Sequence, residues 1–147
     1  VVYVLLAFFS EGEPAQDGGE LLWVVAAGMV PVVVAQRLVH HPRVTLQTVM
    51  GAVASYLQIA VAFATLYQFL DAITAAPFFG TEVSTTLYTY ASLQTITTLG
   101  YGDLTPTSDL GRLLMVSEAV IGQVFLVTFV ALIVSRFAAH PPASADD

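Results

Sequence analysis

The sequence predicts an all-α protein that is embedded in a membrane. Its mean hydropathy is +0.78. Hydrophobic residues make up 56% of the 147 positions and charged residues only 10%, whereas a soluble domain carries about 25% charged residues. Apolar stretches of the length that a bilayer requires, about 20 residues of helix, recur along the chain.

Charge and residue usage exclude several functions. The net charge of −7 argues against nucleic-acid binding, because such proteins present a basic surface to the phosphates. Without cysteine there are no disulfides and no thiolate metal sites. The Ser, His and Asp residues show no catalytic spacing, zinc-site spacing or phosphate loop. The sequence therefore predicts a protein that is not an enzyme.

Residues 1–43 are predicted to form N-terminal transmembrane segments. The apolar run at 1–9 is too short to cross a bilayer, and we expect it to be the outer part of a helix that starts before Val1. Residues 10–20 form a polar loop, and residues 21–39 form a complete span. The predicted fold thus places at least one transmembrane helix before the rest of the chain.

A basic cluster follows that span and predicts the orientation of the chain. It consists of Arg37, His40, His41 and Arg43. Because cytoplasmic loops are enriched in basic residues, the loop at 40–43 and the C-terminus are expected on the cytoplasmic side of the cell membrane. The two histidines either sense intracellular pH, since His titrates near neutrality, or simply anchor the chain beside the membrane.

Residues 44–137 are predicted to form a second unit of two spans with a short helix between them. The spans are 44–70 and 109–137, with Asp109 as the expected N-cap of the latter. The helix predicted at 84–97 reaches only about 20 Å at 1.5 Å per residue. Non-spanning backbone at membrane depth must be buried in protein or line water, so this helix is expected to be re-entrant. Residues 138–147 are predicted to be a disordered tail, and no sizeable soluble regulatory domain is apparent.

Directly after the short helix, residues 97–103 read Thr-Thr-Leu-Gly-Tyr-Gly-Asp. This stretch resembles the selectivity filter of potassium channels, and the resemblance extends over about residues 44–137. It implies a pore module in which backbone carbonyls replace the hydration shell of permeating potassium ions. The implied ligands are the carbonyls of Thr98, Leu99, Gly100 and Tyr101, together with the Thr98 hydroxyl.

The composition of this stretch is physically suited to that role. Successive carbonyls of an ordinary strand point to opposite sides, and alternating left-handed and right-handed residues would bring them to one side. Gly100 and Gly102 adopt positive φ at little cost, and Asp103 follows as in the family pattern. One chain supplies only one wall of such a site, so a homotetramer around a shared axis is implied. The alternative for these residues is a turn in a surface loop, since Gly and Asp favour turns.

Gln94 and Glu118 are candidate supports of the filter. At the position of Gln94 relatives often carry an acidic or apolar residue, and at the position of Tyr90 they often carry a Trp. Glu118 is an acid within a span, which is costly unless the acid is paired or faces protein or water. In one interpretation Glu118 tunes conduction by a hydrogen bond to the filter backbone or to the short helix at 84–97, which corresponds to the family's pore helix. In the other, a neighbour such as Ser92 or Thr95 merely satisfies its hydrogen bonds.

Gly122 matches the hinge glycine of the family's inner helix. It either lets that helix bend to open the pore or allows close packing against the pore helix, as small residues do in membranes. Five residues at helical spacing are candidates for lining the cavity: Gln123, Val127, Val130, Ala131 and Val134.

The resulting prediction is a passive, potassium-selective channel with potassium as the permeating ion. Tyr101 favours potassium, because relatives with Asp at this position also conduct sodium. The alternatives are a non-selective cation channel, a non-conducting membrane sensor that retains the pore fold, and a membrane subunit that only scaffolds a partner.

Overall fold

The computed structural model of the chain describes residues 46–139, which form three helices. Helix α1 is Leu46–Ile73, α2 is Thr85–Ile96 and α3 is Asp109–Ala139. The predicted spans at the N-terminus, the basic loop with His40 and His41, and the tail from residue 140 onward lie outside the described residues. Helix α3 extends two residues past the predicted end of that span at 137.

Two of the three helices are long and apolar enough to cross a membrane. The candidate spans are Thr48–Ile73, with a mean hydropathy of 1.8, and Asp109–Ser135, with a mean hydropathy of 2.1. Both predicted spans of the second unit are therefore confirmed as long apolar helices. Helix α2 has 12 residues and a length of about 18 Å at 1.5 Å per residue, which is too short to cross.

The start of α3 differs in one detail from the prediction. The backbone N–H of Gly111 donates to the Ser108 hydroxyl at 3.0 Å, which is the side-chain contact that an N-cap residue makes with the third helical residue. Ser108 is therefore the cap, and Asp109 is the first helical residue rather than the cap.

Helix α2 packs against both long helices through two apolar clusters. The larger one lies near the loop that joins α1 to α2 and contains Ala64, Tyr67, Phe78, Phe79, Tyr88 and Ala91. The smaller one lies at the other end of α2 and contains Ile59, Ala60 and Ile96. Stacked rings join the loop to α1 in the larger cluster, with the centroids of Tyr67 and Phe78 5.0 Å apart. These two clusters hold α2 at both ends and so position the segment that follows it.

The two long helices differ in how much of their surface is covered. In the apolar window of each, 44% of α1 is buried but only 11% of α3. The exposed large apolar residues of α3 recur at three- and four-residue intervals and include Leu113, Val116, Val120, Val124, Val127 and Val134. Within the described part of the chain, one whole face of α3 is therefore left without a packing partner.

Candidate functional site

The segment at 97–103, which we call the candidate filter, has an alternating backbone. Positive φ angles occur at every second residue: 58° at Thr98, 55° at Gly100 and 77° at Gly102. The sequence predicted this conformation for the two glycines, and that is confirmed. It did not predict the conformation of Thr98, because a β-branched residue rarely adopts positive φ and pays about 1–2 kcal/mol for it.

The carbonyls of the candidate filter are oriented by hydrogen bonds on the opposite side of the chain. The backbone N–H groups of Leu99 and Gly100 both donate to the carbonyl of Gln94, at 2.9 and 3.2 Å. The N–H of Tyr101 donates to the Gln94 side-chain oxygen at 3.2 Å. In a planar trans peptide the N–H and the preceding C=O point in opposite directions, and no described peptide bond is cis. The carbonyls of Thr98, Leu99 and Gly100 therefore all point away from α2.

Three neutral oxygens on one side of a chain can do what three successive residues of a β-strand cannot. In a strand, neighbouring carbonyls alternate between the two sides, and only every second one can reach the same ligand. Here consecutive carbonyls form a single row with no net charge. Such a row suits a cation that must exchange its water shell for oxygen ligands and then leave again.

Gln94 also contacts the acid at the end of the candidate filter. The amide is only 4% exposed, and its nitrogen donates to Asp103 Oδ1 at 3.2 Å. The Tyr90 hydroxyl donates to Asp103 Oδ2 at 2.8 Å. The hydrogen bond from Tyr90, with that from Gln94 as a smaller contribution, holds the pKa of the Asp103 carboxyl below its ordinary value. Gln94 thus contacts Gly100 and Asp103, two other residues that the sequence singled out.

Tyr90 and Asp103 influence each other's ionisation. The bond to Asp103 is the main cause that raises the pKa of the Tyr90 hydroxyl. Near neutral pH the Tyr90 hydroxyl therefore remains the donor of this hydrogen bond and the Asp103 carboxylate its acceptor.

The carbonyls at the C-terminal end of α2 are occupied by donors from the protein. Those of Leu93, Gln94 and Thr95 accept from the residues that follow the helix. That of Ile96 accepts from the hydroxyl of Tyr56 on α1, at 2.7 Å. The negative end of the helix dipole would thus act on a nearby cation through its field and not as a direct ligand. Tyr56 was not singled out from the sequence, since a bond over forty residues leaves no local signal.

Glu118 lies behind α2, on the side away from the candidate filter. It is 0% exposed, and its two carboxyl oxygens contact the hydroxyls of Tyr67, at 2.6 Å, and Ser92. Ser92 is one of the two neighbours that the sequence suggested. The other, Thr95, bonds instead to the Ala91 carbonyl at 2.7 Å. The sequence did not single out Tyr67 as a partner of Glu118, although the hydroxyl of a tyrosine buried in an apolar helix usually needs a hydrogen-bond partner.

Gly122 packs directly against the end of α2. It is buried, and a Cβ at this position would lie 2.5 Å from Ile96 Cγ1 and 3.1 Å from the Ile96 carbonyl oxygen. Helix α3 continues through it without a break. These contacts favour the packing interpretation, while a hinge role stays a prediction. The five candidate cavity residues, Gln123, Val127, Val130, Ala131 and Val134, are all exposed in this chain.

Comparison with known proteins gives one match. A family model described as "Ion channel" matches residues 52–139, which is more than half of the chain. The match starts within α1, includes α2 and the candidate filter, and ends with the last residue of α3. No curated protein and no solved structure matches.

Proposed function

This chain belongs to the ion channel family, and we propose that it forms a passive, potassium-selective pore. It is a channel and not an enzyme. In the proposed pore, potassium ions lose water and are held by the backbone carbonyls of residues 98–101, with the Thr98 hydroxyl as a further ligand at one end. The observation that carries the proposal is the row of three consecutive carbonyls that Gln94 orients away from α2.

The arrangement favours selectivity because the ligands are fixed from behind. A single residue, Gln94, holds three successive N–H groups and also contacts Asp103. The orientation of the carbonyls therefore depends on the backbone carbonyl and the buried side chain of one residue of α2. A ligand set with fixed spacing and no net charge can discriminate between cations that differ in size and hydration.

A complete site requires more than one chain, and we propose a homotetramer. One chain contributes one row of oxygens, whereas a dehydrated cation needs ligands on all sides; four rows around a symmetry axis would enclose it. The uncovered surface supports such an assembly. Leu99 is 59% exposed and Tyr101 68% exposed, and the apolar face of α3 lies open along its length. In a tetramer these side chains would contact neighbouring copies or line the cavity.

We place α2 as a re-entrant helix between two spanning helices. Its length and its many polar side chains do not suit a span, and its packing between α1 and α3 meets the requirement that such backbone be buried in protein. The basic loop at 40–43 and the C-terminus would then face the cytoplasm.

Ion flux into liposomes tests this function. Purified protein is reconstituted, and the uptake of potassium is compared with that of sodium under the same gradient, with empty liposomes and the Glu82→Gln variant as controls. Glu82 lies in the loop before α2 and is exposed, so its variant should behave like the unmodified protein. We expect potassium flux well above sodium flux.

The other outcomes identify the alternatives. Equal potassium and sodium fluxes would indicate a non-selective cation channel. An intact tetramer by mass measurement in detergent, without flux of either ion, would indicate a non-conducting sensor. A stable monomer would contradict the pore and favour a scaffolding subunit.

A further inference from the structure

A closed set of polar groups joins the three helices behind the candidate filter. We call it the rear cluster; it consists of the side chains of Tyr67 on α1, Ser92 on α2 and Glu118 on α3, and the Ala60 carbonyl on α1. All three side chains are 0% exposed. The Ser92 hydroxyl contacts both the Ala60 carbonyl, at 2.6 Å, and Glu118 Oε1. The Tyr67 hydroxyl contacts Glu118 Oε2 at 2.6 Å.

These contacts require more protons than the two hydroxyls provide. There are three oxygen–oxygen contacts at hydrogen-bond distance, and each needs one proton between its oxygens. Tyr67 and Ser92 each supply one proton, and the Ala60 carbonyl supplies none. If Glu118 were ionised, one of the two contacts of Ser92 would hold two oxygen atoms together without a proton. A proton on Glu118 Oε1 completes the set.

The surroundings of Glu118 offer no charge to balance a carboxylate. Among the side chains that the structure describes, Arg112 is the one cation. It is 65% exposed and is engaged with Asp109 and with the Pro106 carbonyl. The groups that face Glu118 from α1 and α2 are the neutral hydroxyls of Tyr67 and Ser92. Burying an unpaired charge costs far more than burying a hydrogen-bonded neutral acid.

We propose that Glu118 carries a proton at neutral pH and donates it in a hydrogen bond to Ser92. Ser92 in turn donates to the Ala60 carbonyl, and Tyr67 donates to Glu118. Glu118 is therefore a positioning residue: as a neutral acid it fixes α2 between α1 and α3. Ser92 precedes Gln94 by two residues on the same helix, so the rear cluster positions the residue that orients the carbonyls of the candidate filter. The protonation of Glu118 does not depend on potassium selectivity.

Infrared spectroscopy of the reconstituted protein tests the proposal directly. Labelling with ¹³C at the glutamate side-chain carboxyl shifts only the bands of the five glutamates, and Glu118→Gln removes one of them. We expect the unmodified protein at neutral pH to show a ¹³C-sensitive band of a protonated carboxylic acid. That band should be lost in Glu118→Gln and unchanged in Glu82→Gln. An isotope shift confined to ionised carboxylate bands would overturn the proposal without any variant having to fold.

Thermal melting of the assembled protein gives a second, independent readout. The glutamine side chain reproduces the proposed neutral acid, because its NH₂ can donate to Ser92 while its oxygen accepts from Tyr67. We therefore expect Glu118→Gln to melt near the unmodified protein and Glu118→Ala to melt well below it. Equal destabilisation by the two substitutions would mean that a negative charge is needed there, which contradicts the proposal.

Discussion

The two faces of α2 each engage one acid, and the two acids are held in different ways. Asp103, on the face toward the candidate filter, is exposed and accepts from the Tyr90 hydroxyl and the Gln94 amide. Glu118, on the opposite face, is fully buried between two hydroxyls. Water can stabilise a carboxylate on the first face but not on the second. Asp103 therefore stabilises the candidate filter itself, whereas Glu118 stabilises the packing of α2, the helix that precedes it.

The largest effect on ion selection is expected from Gln94→Met, which removes the side-chain hydrogen bonds between α2 and the candidate filter. The substitution keeps the length of the side chain but leaves the Tyr101 N–H without its partner and removes one of the two side-chain donors to Asp103. The Tyr101 N–H is partly buried, and an unsatisfied buried group costs about 1–3 kcal/mol, which corresponds to about a five- to 150-fold change in an equilibrium. We expect the ratio of potassium to sodium flux in liposomes to fall by a factor within that range.

Gln58 on α1 supplies the matched control. It is also a buried glutamine, at 0% exposure, but neither atom of its amide has a hydrogen-bond partner in the structure. Gln58→Met should therefore leave the flux ratio unchanged and the assembly at least as stable, because it removes an unsatisfied amide. If it lowered the flux ratio as much as Gln94→Met, the special role of Gln94 would be lost.

The next largest effect is expected from Gly122→Ala, which disturbs the packing behind α2. The new methyl group would lie 2.5 Å from Ile96 Cγ1, and overpacking of this kind costs about 1–3 kcal/mol. We expect a lower melting temperature for the assembly. Adding Ile96→Ala, which removes the clashing Cγ1 atom, should recover part of the lost melting temperature.

Gly51→Ala separates this packing effect from a general effect of replacing a helical glycine. No atom lies within 4 Å of a Cβ at Gly51, and alanine in a helix gains about 1 kcal/mol over glycine. We expect equal or higher stability. If Gly122→Ala instead melted like the unmodified protein but reduced ion flux, the result would contradict the packing interpretation and favour the hinge.

The sequence predicted those features that depend on local composition. The spans that became α1 and α3 follow from apolar length, and the positive φ of Gly100 and Gly102 follows from the residue type. The partners of buried polar groups were harder to predict. Glu118 was recognised as an acid that needs a partner, but its bond to Tyr67 joins residues fifty-one positions apart, and only the packing of α1 against α3 brings them together.

The same distinction explains what was missed in the candidate filter. The sequence indicated which residues could tolerate left-handed dihedrals, but Thr98 also adopts one at 58°. Three consecutive N–H groups bonded to Gln94 require the peptides to share one orientation, so the alternation must extend two residues before Gly100, to Thr98. The hydrogen bonds to Gln94 here override the preference of a β-branched residue.

Gly100→Ala tests this alternation with a smaller expected effect. Within the chain no atom lies within 4 Å of a Cβ at Gly100, so the cost expected there comes from the positive φ, about 1–2 kcal/mol. We expect a modest loss of thermal stability together with a reduced flux ratio. Gly51→Ala again serves as the control. An unchanged flux ratio would mean that the conformation of Gly100 does not matter for ion selection.

Tyr90→Phe is expected to have the smallest effect, and the pH dependence of that effect distinguishes Asp103 from Glu118. The Tyr90 hydroxyl holds the pKa of Asp103 below its ordinary value of 3.8. A lowered pKa in the folded state adds stability above the unfolded pKa, and this stability is lost as the pH falls through the folded pKa. The gap in melting temperature between the unmodified protein and Tyr90→Phe should therefore be constant near neutrality and shrink as the pH falls below about 3.8.

The Asp103→Asn background shows whether this gap arises from the charge of Asp103. With no titratable group at that position, the effect of Tyr90→Phe should become smaller and independent of pH. A gap that persists at full size in strong acid would mean that Tyr90 acts by packing and not by hydrogen bonding to an ionised carboxylate. Glu118 is present in all of these variants, so its own titration cancels from each gap, and the acid-dependent part of the gap belongs to the face of α2 toward the candidate filter.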